Sequence, residues 1–226
     1  MRFRDYPTAG HPPALTAALE ELLVLTYGAI ESTNVERWAL EFGAAAPPGL
    51  PGTMRRSAYE TDVVGSIHRL GQRYWERRGE AAVWERPLPT GLPGRPPSVD
   101  IALFDTANAR ETRLEFGVCS TTAAGTLTRQ KLRDDAEKLV ELAVHTDGGF
   151  GAVENYVVLW HHYRVALTLD RRRAFRRAMR HHAAEVAAAL GTPGVELLVT
   201  SGGDLFAPQH GQEHWVAIGL FRVVAP

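Results

Sequence analysis

Two acidic residues lie in the middle of two short apolar stretches, and they restrict the fold more than any other feature of the chain. Aliphatic side chains alternate with Asp100 and its neighbours in residues 99–104, and residues 114–119 alternate in the same way around Glu115. A period of two is typical of β-strands. The polar residues 105–110 separate the two stretches and predict a hairpin turn. In such a hairpin, Asp100 and Glu115 share one face of the sheet.

A carboxylate on a covered sheet face is unfavourable unless a positive charge meets it. Two neighbouring carboxylates are worse, because each raises the pKa of the other. A divalent cation relieves both effects, and Mg²⁺ and Mn²⁺ prefer oxygen ligands. The alternative is an exposed face on which Asp100 and Glu115 are solvated or paired with arginine. Ala102, Phe104 and Cys119 fall on the same face and favour a covered one.

These residues resemble the PD-(D/E)XK, or restriction-endonuclease-like, nuclease superfamily. Asp100 matches the first acid of the family motif and Glu115 the second, and a predicted helix over residues 128–144 follows where the family has one. Gly117 stands where the family places its lysine. The resemblance implies an α/β fold with a mixed central sheet flanked by helices, whose core runs helix, three-strand meander, helix, strand. It also implies hydrolysis of phosphodiester bonds in DNA with Mg²⁺ or Mn²⁺, held by Asp100 and Glu115.

The chain has only two lysines, Lys131 and Lys138, and both fall on the helix after Glu115. Their spacing of seven residues places them on one helix face. Lys131 lies near the helix start and is the better candidate for a catalytic cation that replaces the missing motif lysine. The alternative for both is a solvated helix surface, with Asp134 and Asp135 as local partners of Lys131.

Glu60 lies on a helix predicted to run from Ser57 to about Arg78. In the resembled family a glutamate on the first core helix often contacts the metal or its water, and Glu60 repeats with Val64 and Ile67 at helical spacing. The other interpretation is a capping box, in which Ser57 is the N-cap and Glu60 the residue that completes it.

A long helix that ends at Gly191 and is capped by Asp170 carries a broad basic surface. Such a surface could neutralise several backbone phosphates, and a solvated amphipathic helix is the alternative. The arginines concerned are Arg172, Arg173, Arg176, Arg177 and Arg180.

Proline and glycine divide the chain into two predicted parts. Residues 1–53 are interpreted as an N-terminal helical extension, with a helix near residues 15–27, a second short helix at 34–42 and a linker at 44–53. Residues 54–226 are interpreted as the restriction-endonuclease-like domain. Besides the hairpin, strands are predicted at residues 81–88, 155–162, 195–200 and 214–224. The extension is also a candidate oligomer interface.

Composition says more about the cellular location and source of the protein than about its activity. A single cysteine excludes an intrachain disulfide, and neither a signal-peptide core nor a membrane span is evident, so we expect a cytoplasmic protein with no membrane association. Scarce lysine beside abundant Ala, Arg, Gly and Pro is typical of GC-rich bacterial coding. A net charge of −1 does not indicate a protein that binds nucleic acid.

Three functions remain open on sequence grounds. The first is a metal-dependent nuclease acting on DNA. The second is a related domain that has lost hydrolysis and serves as a binding or assembly module, with a protein partner or a second copy of itself. The third, an unrelated mixed-sheet protein that binds a small ligand, would be indicated if Asp100 and Glu115 lay far apart.

Overall fold

The structure is a computed structural model that describes residues 3–5, 15–43, 52–87, 96–119, 126–143, 150–163, 166–191, 194–205 and 214–224. Within these ranges the chain forms seven strands and four helices. The strands are β1 (Phe3–Asp5), β2 (Glu80–Pro87), β3 (Ser98–Asp105), β4 (Arg110–Val118), β5 (Ala152–Tyr163), β6 (Gly194–Leu205) and β7 (His214–Val224). The helices are α1 (Ala17–Gly43), α2 (Gly52–Arg77), α3 (Gln130–Ala143) and α4 (Leu169–Leu190).

All seven strands form one mixed sheet in the order β1-β6-β7-β5-β4-β3-β2. The strands β2, β3 and β4 are an antiparallel meander, and β5 lies parallel to β4 after the crossover through α3. The remaining pairs are antiparallel. The predicted α/β class, with a mixed central sheet flanked by helices, is therefore confirmed, and the order α2, β2, β3, β4, α3, β5 is the predicted order of elements.

The central strands β3 to β7 are covered on both faces, because they present apolar side chains alternately to each side, whereas the edge strand β2 is largely exposed. One apolar cluster joins α1 and α2 to the sheet through residues such as Leu23, Ile67 and Phe116. The other cluster joins α3 and α4 to the opposite face through residues such as Leu139 and Phe175. The helix α1 thus shares a core with α2 and the sheet.

The helices α1 and α2 differ from the predictions. The predicted helices at 15–27 and 34–42 are one continuous helix, α1. The helix α2 begins at Gly52 rather than at Ser57, so Ser57 lies inside the helix and the predicted capping box is wrong. Residues 44–51 of the predicted linker lie outside the described residues, and its last two residues, Gly52 and Thr53, are helical because they begin α2.

The N-cap of α4 is Thr168 rather than the predicted Asp170. The Thr168 hydroxyl oxygen accepts a hydrogen bond from the Arg171 amide at 3.4 Å. Asp170 instead occupies the first turn, where a negative charge is favourable because the helix N-terminus is positive.

A buried ion pair fastens the C-terminal end of α3 to β4. Glu111 and Arg113 are at most 1% exposed and lie two residues apart on one face of the strand. The Arg113 guanidinium donates to Glu111 at 2.9 and 3.2 Å and to the Leu142 carbonyl, in the last turn of α3, at 2.6 Å. The guanidinium therefore compensates the buried carboxylate and one carbonyl at the helix end, where carbonyls lack helical partners.

Replacing Arg113 with methionine should lower the free energy of unfolding by about 3–5 kcal/mol, because Glu111 would remain as an uncompensated buried charge. Urea unfolding at neutral pH measures this change. The exposed Arg133 on α3 is the control, and Arg133→Ala should change stability by less than about 0.5 kcal/mol. The double variant E111Q/R113M should lose less than R113M alone, and equal losses would contradict the assigned role of the pair.

Candidate functional site

The hairpin brings Asp100 and Glu115 together. Ile101 pairs with Leu114 across β3 and β4, and Asp100 and Glu115 are the next residues along. The Asp100 Oδ2 atom accepts a hydrogen bond from the Phe116 amide at 2.8 Å. Glu115 is 1% exposed, under the helix α3. The two carboxylates therefore share one largely covered position on the sheet, which removes the premise of the small-ligand interpretation.

Burial raises the pKa of both acids above the usual range. For Asp100 the effect of burial is partly offset by the Phe116 amide and the two lysine ammonium groups. For Glu115 the negative charge of Asp100 adds to the effect of burial, and the pKa is raised strongly. The pair is short of compensating positive charge.

The positive charge that does reach the pair comes from lysine, not arginine. The Lys138 Nζ atom lies 2.6 Å from Glu115 Oε1 and donates to the Ser98 carbonyl oxygen at 3.0 Å. The interpretation of Lys138 as an ordinary solvated surface residue does not fit these contacts.

Lys131 fills the space beside Gly117, the position where the resembled family has its lysine. A Cβ atom at Gly117 would lie 2.7 Å from Lys131 Cγ and 2.9 Å from Lys131 Cδ, and closer still to Cε. The Lys131 ammonium contacts Glu60 Oε1 at 3.0 Å and Asp135 Oδ1 at 3.2 Å. In this conformation Lys131 occupies space that a side chain at position 117 would need. Asp135 is the local partner that the sequence indicated, but the contact with Glu60 on another helix goes beyond a solvated helix surface.

The Lys131 ammonium is held in its charged form. Burial by itself lowers the pKa of Lys131, but the carboxylates of Asp135 and Glu60 outweigh that effect and raise the pKa above the usual lysine range. Lys131 is therefore a fixed positive charge at neutral pH.

Glu60 connects the helix α2 to this group. Its Oε2 atom accepts a hydrogen bond from the Val118 amide at 3.1 Å, at the end of β4, and its Oε1 atom faces Lys131. The resemblance implied that Glu60 contacts the metal or its water, and its direct contacts in the structure are a backbone amide and the lysine.

Asp135 belongs to the same group, although the sequence indicated only a local partner of Lys131. It is 4% exposed, and its Oδ2 atom has no hydrogen-bond partner among the described residues. Burial raises its pKa to about 7, against the lowering effect of Lys131. The signal in the sequence was an acid four residues after Lys131 on a helix face that also carries Leu132, Ala136 and Leu139.

The charges of the group do not balance. In the described part of the chain it contains two ammonium groups, Lys131 and Lys138, and four carboxylates, those of Glu60, Asp100, Glu115 and Asp135. Full ionisation leaves two negative charges, which one divalent cation would neutralise. Adjacent buried carboxylates with raised pKa values fit a hard metal ion.

The described residues do not form a ready-made cage for such an ion. Among them, no group of three or more His, Cys, Asp or Glu side chains is arranged to hold a metal. Two carboxylates nevertheless suffice for Mg²⁺, which usually keeps several waters and binds substrate phosphate oxygens as further ligands.

The proposed basic surface of α4 is only partly free. Arg173 pairs with Asp170 at 3.8 Å, and the half-buried Arg172 places its guanidinium 4.8 Å from the centre of the Phe3 ring. Contacts between α4 and the chain around α3 come from the other end of α4, through Glu185 to Arg129 and His182 to the Leu127 carbonyl. Arg172 and Arg173 are therefore engaged with residues that do not belong to the acid group.

Cys119 lies beside the site but is not a suitable nucleophile. It is buried, and burial raises the pKa of its thiol to about 12. The thiolate, which is the reactive form, is therefore scarce at neutral pH.

Comparison of the chain with protein-family models, with curated proteins and with solved structures gives no match. Among the described residues, no helix is both long enough and apolar enough to cross a membrane.

The raised pKa of Asp135 predicts a pH effect on stability. Its pKa of about 7 lies above the ordinary value of 3.8, so the folded protein keeps a proton that the unfolded chain releases between these values. The stabilisation is present below about pH 4 and is lost as the pH rises through 7. Between pH 4 and 7, wild type should lose stability relative to Asp135→Asn by up to about 1.4 kcal/mol per pH unit.

Urea unfolding of both proteins at several pH values measures this difference. The exposed Asp134 provides the matched control, and Asp134→Asn should stay parallel to wild type. A constant difference between wild type and Asp135→Asn across this range would contradict the assignment.

Proposed function

We propose that this protein is a metal-dependent nuclease of the PD-(D/E)XK type that hydrolyses phosphodiester bonds in DNA. The observation that supports the proposal most directly is Lys131. Its side chain crosses Gly117, and its permanently charged ammonium group is close enough to Asp100 for the two charges to interact. The cation that the family motif carries on the strand is thereby supplied by the next helix.

The positions of the acids support the same proposal. Asp100 and Glu115 occupy adjacent strands of a meander, and the helix and parallel strand that follow are in the order expected for the family. Asp100 and Glu115 would hold Mg²⁺ or Mn²⁺. When bound, the metal would act as a Lewis acid on the phosphate and neutralise charge that develops there.

The protein's own residues supply the remaining chemistry. The Lys131 ammonium donates hydrogen bonds and stabilises negative charge on the phosphate, a type of interaction that is strongest where water is partly excluded. Glu60 and Asp135 hold this ammonium from two sides. The exposed arginines Arg177 and Arg180 on α4 would contact the DNA backbone without reading its sequence.

A second candidate is a related domain without hydrolytic activity that acts as a binding or assembly module. The observation in its favour is that Lys138 already contacts Glu115, so the acid pair has one resident cation. Metal binding and cleavage, measured separately, distinguish the two candidates.

Moving the lysine from position 131 on α3 to position 117 on β4 tests the proposal. Lys131→Ala should reduce DNA cleavage by about 10²–10³-fold, the usual cost of losing one stabilising donor. In the double variant G117K/K131A the obstruction beside position 117 is gone, and a strand lysine should recover about tenfold or more of the lost rate. Cleavage of supercoiled plasmid with Mg²⁺ or Mn²⁺ measures both.

The control is G117A/K131A, which places a Cβ atom at position 117 without an ammonium group and should show no recovery. Equal activity of the two double variants would contradict the role given to the lysine. Unchanged cleavage by Lys131→Ala alone would also contradict the role given to the lysine.

Removing either acid tests the metal site. Asp100→Asn and Glu115→Gln should each abolish cleavage and weaken Mn²⁺ binding by at least about tenfold in calorimetric titration, because each removes a charged ligand. Glu115→Gln should remain folded, since glutamine keeps the shape of the side chain and an oxygen that can accept from Lys138, which is 30% exposed. Cleavage retained by either variant would contradict the assignment of the metal site. If wild type binds Mn²⁺ but does not cleave DNA, the binding module is favoured.

A further inference from the structure

Lys138 is held by two oxygens that belong to adjacent strands. Its Nζ atom lies 2.6 Å from Glu115 Oε1 on β4 and 3.0 Å from the Ser98 carbonyl oxygen on β3. Such a set of oxygen atoms is also what a hard metal ion prefers. One of the two oxygens belongs to a proposed metal ligand, whereas the ion pairs of Lys131 are with Glu60 and Asp135.

We propose that Lys138 is a resident cation that compensates Glu115 in the metal-free protein and must leave this carboxylate when the metal binds. The inference rests on the proposed function, and it assigns Lys138 a separate task from Lys131. Lys131 is a constant part of the site. Lys138 sets how readily the site accepts a divalent ion.

Competition follows from distances and charge. A magnesium ion binds carboxylate oxygen at about 2.0–2.1 Å. An ammonium group 2.6 Å from the same oxygen would then lie close to the metal, and the two cations repel each other. The ion pair and the metal bond therefore compete for Glu115 Oε1.

The structure also shows why Glu115 needs Lys138 as a partner and how Lys138 can move away from it. Glu115 is 1% exposed, so without a partner it would be an uncompensated buried charge in the metal-free protein. Lys138 is 30% exposed, and its long flexible stem lets the ammonium move to solvent while the helix stays in place.

Calorimetric titration of the full chain with Mn²⁺ alone tests the inference. Lys138→Met removes the competing charge and should tighten Mn²⁺ binding by roughly tenfold, the usual size of effects from groups that contact metal ligands. Lys138→Gln, which retains a donor for the Ser98 carbonyl, should show the same direction and serves if Lys138→Met does not fold. Lys138→Arg keeps the charge and should bind Mn²⁺ no more tightly than wild type.

Lys131→Met is the matched control, because it removes one ammonium group from the same helix face without freeing Glu115. It should tighten Mn²⁺ binding less than Lys138→Met. If wild type binds Mn²⁺ and neither Lys138→Met nor Lys138→Gln binds it more tightly, the inference is overturned while the metal-dependent function stands. If Mn²⁺ binds only once Lys138 is replaced, Lys138 blocks the site instead of yielding to the metal, so the displacement proposed here and the metal-dependent function of wild type both fail. No binding by any of these proteins overturns both.

Discussion

The Asp100–Glu115 pair can be placed under a helix only because that helix brings positive charge to it. Two carboxylates on neighbouring strands repel each other, and covering them with α3 removes the water that would screen them. The Lys138 ammonium contacts Glu115 directly, and the charge of Lys131 lowers the pKa of Asp100. The position of α3 is consequently tied to the ionisation of the pair, in addition to its apolar contacts.

One face of the helix α3 contributes both to the apolar core and to the charged group around Asp100 and Glu115. Lys131, Asp135 and Lys138 follow one another at spacings of four and three residues, so they lie along a single stripe. Leu132 and Leu139 directly follow two of these residues and are buried in the core cluster on the same side of the sheet. Because the Arg113–Glu111 pair anchors the C-terminal end of α3, the stripe is held above β4 at one end by a buried charge and along its length by apolar packing.

Much of the fold follows from local patterns, whereas the contacts of the site do not. The strands carrying Asp100 and Glu115 were predicted because alternation with a period of two is visible in a few residues. Lys131 was a candidate because the chain offers only two lysines, both after Glu115. The burial of Asp135 depends instead on the distance between α3 and the sheet, which no local pattern contains. The start of α2 was misplaced because Ser57 and Glu60 mimic a capping box, and Glu60 in fact accepts from the Val118 amide.

In the proposed nuclease, a cation carried by the helix α3 instead of the strand β4 requires more supporting contacts. A lysine at position 117 would be aimed by the backbone of β4 alone, in register with Glu115. Lys131 must instead cross Gly117 and be held at its tip, and Glu60 and Asp135 hold it there. Glu60 comes from α2, which packs on the opposite face of the sheet, so its ion pair with Lys131 joins the two helical layers across the end of β4. The cation is therefore in place only when α2, α3 and the hairpin have all assembled, and changes in the packing of α2 reach the site through Glu60.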